Sequence, residues 1–375
     1  MENQMSIEKI LDFLGTSIIY QMSLNSHELF HSNLWAWLIE QDPIFAKLFF
    51  PDLDGSVKPK REEGNRDITV WKNKRTYVIE NKFKSIPTEE QLIKYEKKFK
   101  KGNFNFVRGV LTGIKKPSFC IGEGKLSNWS FLSYDKIAEE LKRLCEESQE
   151  LDLFTKTVVN EYADMISLLC KAINDELNAH TNHVPCFTAP SENDPFSNVR
   201  LRDLVIKMHA DAFCSSLRNS SEYKNLQANL PAASQLILES GFSRKSGIVD
   251  ICYQKGSSPK SYELRIGVQI QGKQFKLFVS KSRTGAGKIE PDDLFQEFLN
   301  LKWFENYTLR RGYFKERPTK MSPTKGCQFD KYLTASYCFV YQYFDIPDDM
   351  DDAEVERLIW EYLEEAKQVL KNLNP

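Results

Sequence analysis

Residues 66 to 99, RDITVWKNKRTYVIENKFKSIPTEEQLIKYEKKF, constrain the fold more than any other stretch. Ile68-Thr69-Val70-Trp71 and Thr76-Tyr77-Val78-Ile79 are β-branched and aromatic, as half-buried strands are. The polar Lys72-Asn73-Lys74-Arg75 between them predicts a tight turn. Centred on Asn73 and Lys74, it pairs the strands antiparallel, with Trp71 facing Thr76 and Asp67 opposite Glu80. Side chains alternate along a strand, so Lys82 shares a face with Glu80. A helix is predicted to follow.

Two carboxylates directly opposed across a ladder have Cβ atoms roughly 4.5–5.5 Å apart, which is destabilising without a compensating cation. With a lysine beside them, the arrangement asks for a divalent metal. Mg²⁺ takes oxygen ligands, commonly one or two carboxylates plus waters and substrate phosphate oxygens. A metal so held activates a water and neutralises charge building up on a phosphodiester. Lys82 suits orienting that water or stabilising the developing charge. The competing reading is a surface hairpin with an incidental charge cluster. Gln91 and Tyr95 are four apart on the next helix and share a face. Each also has an ordinary reading: Thr88-Glu89-Glu90-Gln91 fits a capping box, and Leu92, Tyr95 and Phe99 form an apolar stripe.

Together, Asp67, Glu80-Asn81-Lys82, Gln91 and Tyr95 resemble the PD-(D/E)xK nuclease superfamily. The resemblance is to the branch with a helical Gln-x-x-x-Tyr after the Glu-x-Lys strand, as in RecB-like and phage-exonuclease-like enzymes. Arg66 stands where the family name has proline. The resemblance implies that Asp67 and Glu80 ligate Mg²⁺ or Mn²⁺, that Lys82 assists the attacking water, and that Gln91 and Tyr95 position the site and the nucleic-acid backbone. It implies a deoxyribonuclease, with RNA an open variant, in a bacterial setting of defence, restriction or repair. The alternative is a catalytically inactive nuclease-fold module that binds nucleic acid or protein. Degenerate members lose the lysine or an acid, and all three residues are present here. Members of the superfamily also carry an acid, and RecB-like ones a histidine, on a helix preceding the catalytic strands. Glu28 is the match as a further metal ligand, with His31 one turn on as a supporting ligand or a nucleic-acid phosphate contact. The plain readings are a cap, Asn25 with Glu28, and an ordinary hydrogen-bonded histidine.

Helical spacing predicts helices over 6–22 and 25–41, the second with Phe30, Leu34, Trp37 and Leu38 toward the core. Pro51 to Gly55 reads as a turn. Lys58, Lys60 and Arg61 are basic residues leading to the first catalytic strand, and Glu62 and Glu63 read as surface acids. After Gln91 a basic rim contains Lys94, Lys97, Lys98, Lys100, Lys101, Arg108, Lys115 and Lys116, broken by Glu96. A solvated helix face is its plain reading. Beside a phosphodiesterase site it becomes a backbone-contact patch, with Lys94, Lys98 and Lys101 the named contacts. Strands follow at 106–111 and 129–134, and helices at 135–147 and 150–180.

That order predicts an α/β fold, a mixed sheet flanked by helices; the resemblance makes it a restriction-endonuclease-like core. The predicted catalytic domain is 1–180. A linker follows at 181–197, with three prolines, and an α+β accessory domain at 198–375. Within the latter, helices are expected at 200–217, 223–239 (broken at Pro231), 291–303 and 353–373. Strands are expected at 248–253, 262–270, 274–279 and 335–344. Thr284-Gly285-Ala286-Gly287-Lys288 lacks the first glycine and the final Ser/Thr of a phosphate loop and reads as a surface loop. Arg310, Arg311, Lys315, Arg317, Lys320 and Lys325, with Tyr313 and Phe314, are either a second nucleic-acid contact or an exposed loop.

Net charge is −1, so contact with DNA rests on local patches. The eight cysteines include no Cys-x-x-Cys and offer no zinc framework. With no signal peptide read, they are expected to be reduced, mostly buried thiols in a cytoplasmic protein. No apolar run approaches the roughly 20 residues that span a bilayer. The C-terminal domain is the candidate surface for a homo-oligomer.

Overall fold

Five strands lie in sequence order in the first sheet: β1 (Lys58–Arg61), β2 (Ile68–Lys72), β3 (Arg75–Lys82), β4 (Asn105–Gly113) and β5 (Trp129–Ser133). β1, β2 and β3 pair antiparallel; β3, β4 and β5 pair parallel. Trp71 faces Thr76 and Ile68 faces Ile79, the predicted register, with Asn73 at φ 50° in the turn. Asp67 therefore lies one step outside the ladder, level with Glu80. A parallel step needs a crossover, and α4 (Glu89–Lys100) supplies it between β3 and β4. The computed structural model describes the chain apart from residues 1–4, 27, 54, 56, 63–65, 74, 84, 86, 101–104, 189–193, 232–233, 257–261, 284–302, 304–320, 324–327, 330–335 and 373–375.

Strand alternation divides the side chains between two cores. Val78 and Leu111 pack with Leu92 and Tyr95 of α4 and with Trp129. Ile68, Val70, Tyr77, Ile79 and Val110 join the larger core on the opposite face. That core is completed by α1 (Ile7–Thr16), α3 (Glu28–Gln41), α5 (Tyr134–Glu147) and α6 (Leu153–Ala179). Helices on both faces of a mixed sheet are the predicted α/β arrangement.

Several local expectations are corrected. The first helix is two, because Ser17 is extended (φ −67°, ψ 121°) between α1 and α2 (Ile18–Ser26). Asn25 lies inside α2 rather than at the N-cap position of α3. On α3, Trp37 is 41% exposed, and the inward face carries His31, Trp35, Leu38 and Ile39. The reason is Tyr162 of α6, whose hydroxyl lies 2.8 Å from His31 Nδ1 and accepts from Trp35 Nε1 at 3.1 Å. With His31 Nδ1 and Trp35 Nε1 partnered by that hydroxyl, burying these rings costs less. Lys58 to Arg61, expected only to lead into a strand, form edge strand β1, where Pro59 costs no ladder bond that matters.

The chain divides into two compact units, 1–181 with 190–208 and 182–189 with 209–375. The stretch 181–197 is shared between them. Val184 and Phe187 are buried in the core of the second, and Phe196 of α7 (Pro195–Asn198) in that of the first.

The second unit holds an antiparallel sheet of β6 (Ser234–Ser243), β7 (Ser246–Gly256), β8 (Tyr262–Gln271), β9 (Gln274–Arg283), β10 (Met321–Pro323), β11 (Gln328–Phe329) and β12 (Ser336–Asp345). Among the described residues the order is β10-β12-β9-β8-β7-β6, with β11 on β12. Residues of α8 (Arg202–Asn219), α9 (Ser221–Ala228) and α10 (Asp352–Asn372) pack on one face. The helix expected over 223–239 ends at Ala228, and β6 follows. Beyond Pro231, Leu236 and Leu238 point inward while Gln235 and Glu239 are exposed, the period of a strand. The expected helix at 291–303 (Trp303 apart), the loop 284–288 and the basic run from Arg310 to Lys320 with Lys325 lie outside the described residues.

Gly267 of β8 faces Cys252 of β7. A Cβ there would stand 2.3 Å from Ile251 O and 2.6 Å from Cys252 Cα, backbone atoms that cannot swing aside. Gly267→Ala is expected to destabilise this unit by about 1–3 kcal/mol, as overpacking does. A chemical-denaturation midpoint equal to wild type would refute that close approach. Cys120, Cys145, Cys170, Cys186, Cys214 and Cys252 form no disulfide among the described residues, and Cys145, Cys170, Cys214 and Cys252 are buried. Among the described residues, no helix is long and apolar enough to cross a membrane.

Candidate active site

Glu80 and Lys82 project from the end of β3 toward α4. Glu80 is 2% exposed, and its two carboxylate oxygens have unequal surroundings. Oε1 accepts from Lys82 Nζ at 2.9 Å, Gln91 Nε2 at 2.9 Å and Tyr95 OH at 3.3 Å. Oε2 is buried with no hydrogen-bond partner among the described residues. A buried acceptor without a donor is costly, so this oxygen has the character of a ligand atom.

Gln91 takes part in half of a capping box and turns its side chain to Glu80. Its backbone N–H donates to Thr88 Oγ1 at 3.3 Å, which caps α4. The reciprocal half of a capping box is replaced, because Nε2 donates to Glu80 and to Tyr95 OH at 2.9 Å each. The i, i+4 spacing thus gathers Gln91 and Tyr95 on one carboxylate oxygen, while the ring of Tyr95 stays in the core beneath α4.

Asp67 Oδ2 accepts from Asn81 N at 2.6 Å. Burial raises its pKa, opposed by that N–H and by Lys82. Glu80 is pushed up to about 7, by burial first and by the charge on Asp67 second. Lys82 is pulled down by burial, but Glu80, Glu28 and Asp67 together hold it above its ordinary value, as a fixed ammonium. Glu28 opens α3, with Ser85 Oγ donating to its Oε1 and Oε2 4.0 Å from Lys82 Nζ. The lysine thus stands between two acids.

Among the described residues, no three His, Cys, Asp or Glu side chains are gathered closely enough to hold a metal. Glu28, Asp67 and Glu80 are therefore not a ready-made three-acid cage. Asp67, level with Glu80 and close enough for its charge to raise Glu80's pKa, and the orphaned buried oxygen of Glu80 still fit a hard cation, which fills its shell with water and phosphate oxygens.

His31 is corrected. Its ring is fully buried, 4.1 Å from that of Phe83 and 5.4 Å from that of Tyr134, and cannot meet a phosphate. Lys94 is exposed and lines an open cleft of about 930 Å³ with Lys97, Lys125, Glu90 and Gln91. Gln91 belongs to both the cleft wall and the Glu80 cluster. Lys101 and the side chain of Lys98 lie outside the described residues.

Residues 55–164 match the model of the PD-(D/E)XK nuclease superfamily. No curated protein and no solved structure matches the chain. The mixed five-stranded sheet flanked by helices is consistent with a restriction-endonuclease-like core. The matched segment contains Asp67, Glu80, Lys82, Gln91 and Tyr95, and ends inside α6; Glu28 and His31 precede it.

One residue of the matched segment has no functional reading from its sequence alone. Asn81, between Glu80 and Lys82, points to the opposite face and is fully buried. Nδ2 donates to Glu28 O at 2.8 Å and Ser32 Oγ at 3.2 Å; Oδ1 accepts from Tyr134 OH at 2.6 Å and Thr112 Oγ1 at 3.1 Å. The available signal was an amide on the strand face that otherwise carries Tyr77, Ile79 and Phe83.

Proposed function

We propose that the first unit is a Mg²⁺-dependent nuclease hydrolysing DNA phosphodiester bonds, of the branch with a Gln-x-x-x-Tyr helix. The observation that carries this reading is the divided carboxylate of Glu80: three donors fix one oxygen, and the other is buried and unpartnered beside Asp67.

Asp67 and Glu80 would hold Mg²⁺ or Mn²⁺, with Glu28 the third acid from the α3 side. The bound cation supplies water activation and neutralises charge on the phosphodiester. Gln91 and Tyr95 act on Glu80, holding Oε1 so that Oε2 keeps one direction. Lys82 presents its ammonium where the attacking water and the charge-bearing phosphate oxygens meet, and donates to them. The phosphate backbone runs past Lys94, Lys97 and Lys125. DNA is taken from the resemblance; such a site attacks a phosphodiester without inspecting the sugar, so RNA belongs in the assay. Defence, restriction or repair is the setting the same resemblance implies.

The test is incubation of purified protein with linear, circular, single- and double-stranded DNA, and with RNA, with and without Mn²⁺. Cation-dependent cleavage of DNA is expected. No cleavage of any substrate in Mn²⁺ or Mg²⁺ refutes the reading.

The cleft supplies a separate prediction. Lys94→Ala, Lys97→Ala or Lys125→Ala should each weaken DNA binding at low salt and reduce the slope of log affinity against log salt by about 1. Unchanged slopes in anisotropy titrations would remove the cleft from the binding path and leave the carboxylate site standing.

A further inference from the structure

We propose that Asn81 is a positioning residue whose side chain sets Glu28 beside Lys82 by tying the first turn of α3 to β3. The inference rests on the nuclease reading, since it assigns Asn81 a task within that site.

On packing grounds alone an apolar residue would serve at this position. Tyr77, Ile79 and Phe83, which share its strand face, are buried hydrophobic side chains. A buried amide is tolerable only when its hydrogen bonds are made, and both N–H groups and both acceptor positions of Asn81 are used. The partners are distributed with a purpose: Tyr134 on α5 and Thr112 on β4 hold Oδ1, which fixes the amide plane and aims Nδ2 at α3.

What Nδ2 grips there is the backbone carbonyl of Glu28, the residue whose carboxylate lies 4.0 Å from Lys82 Nζ. Ser32 Oγ, the second acceptor of Nδ2, itself donates to the same carbonyl at 2.9 Å. The backbone N–H of Asn81 holds Asp67 Oδ2 at 2.6 Å. A single residue therefore contacts both acids that flank its two neighbours in sequence. Removing the side chain leaves Glu28 on its helix but frees that helix end to drift, and the acid with it.

The experiment is a double-mutant cycle read by calorimetric Mn²⁺ binding to the full chain, with Asn81→Ala, Glu28→Ala and both together. Asn81→Ala is expected to weaken Mn²⁺ binding about tenfold, as loss of a group that orients a ligand does. In the Glu28→Ala background the same change should cost almost nothing, because the residue it positions is gone. DNA kcat should fall in parallel while KM stays within about twofold. Equal losses in both backgrounds, or unchanged Mn²⁺ affinity in folded Asn81→Ala, would overturn the proposal while sparing the nuclease reading. Wild-type protein that binds no Mn²⁺ overturns both. If Asn81→Ala does not fold, Tyr134→Phe takes its place; it removes one bond to Oδ1, keeps the ring, and should cost about threefold with the same dependence on Glu28.

Discussion

Glu80→Gln is expected to abolish Mn²⁺ binding and to slow DNA cleavage by on the order of a thousandfold or more, with the protein still folded. The amide keeps the shape of the carboxylate and an acceptor for Lys82, Gln91 and Tyr95, and removes the charge that the cation requires. The variant also makes a thermodynamic prediction for cation-free protein. A carboxyl near pKa 4.5 in the unfolded chain and about 7 in the fold is protonated in both states at low pH. Between the two values the unfolded state ionises first, so wild-type stability falls as pH rises through that window. The full cost above pH 7 is on the order of 3 kcal/mol. Gln does not titrate, so the stability of Glu80→Gln relative to wild type should climb from pH 4.5 to 7 and then level off. Chemical denaturation in a chelator at several pH values reads this directly. A difference that is flat with pH would mean that Glu80 is not the buried, charge-strained acid described above.

The residues that were legible in sequence are those joined by local geometry. A polar turn between two β-branched runs fixes the register that levels Asp67 with Glu80, and i, i+4 spacing places Gln91 with Tyr95. What was hidden depends on partners far along the chain. Asn81 finds Glu28 and Tyr134 each 53 positions away, and His31 finds Tyr162 across 131. Ranking α3 by hydrophobicity alone turns Trp37 inward, and the resemblance offers His31 to a phosphate, because the hydroxyl that makes His31 a core residue comes from another helix. β6 was misread for a related reason. Leu230 to Leu238 is rich in helix formers, and only pairing with β7 shows that Leu236 and Leu238 bury at a period of two.

Lys82→Ala should separate binding from chemistry, in the opposite sense to an ordinary loss of function. The ammonium is 2.9 Å from Glu80 Oε1 and 4.0 Å from Glu28 Oε2, which makes it the counter-charge of the cation-free site. Any divalent cation entering there is repelled by it; at an effective dielectric near 20, a single and a double positive charge about 4 Å apart repel by roughly 8 kcal/mol. Without the lysine the acids should bind Mn²⁺ at least as tightly as in wild type. Cleavage should nonetheless fall by about 10²–10³-fold, since a donor fixed beside the developing phosphate charge is gone. The cation-free variant should also be less stable, because Glu80, Glu28 and Asp67 lose their common partner. Saturating Mn²⁺ should recover much of that loss, as ligands of the native state do. Calorimetry, single-turnover cleavage and melting with and without Mn²⁺ give three independent readings. If Mn²⁺ binding fell together with cleavage, Lys82 would be holding the acids in place, and its assignment to the attacking water and the phosphate would be wrong.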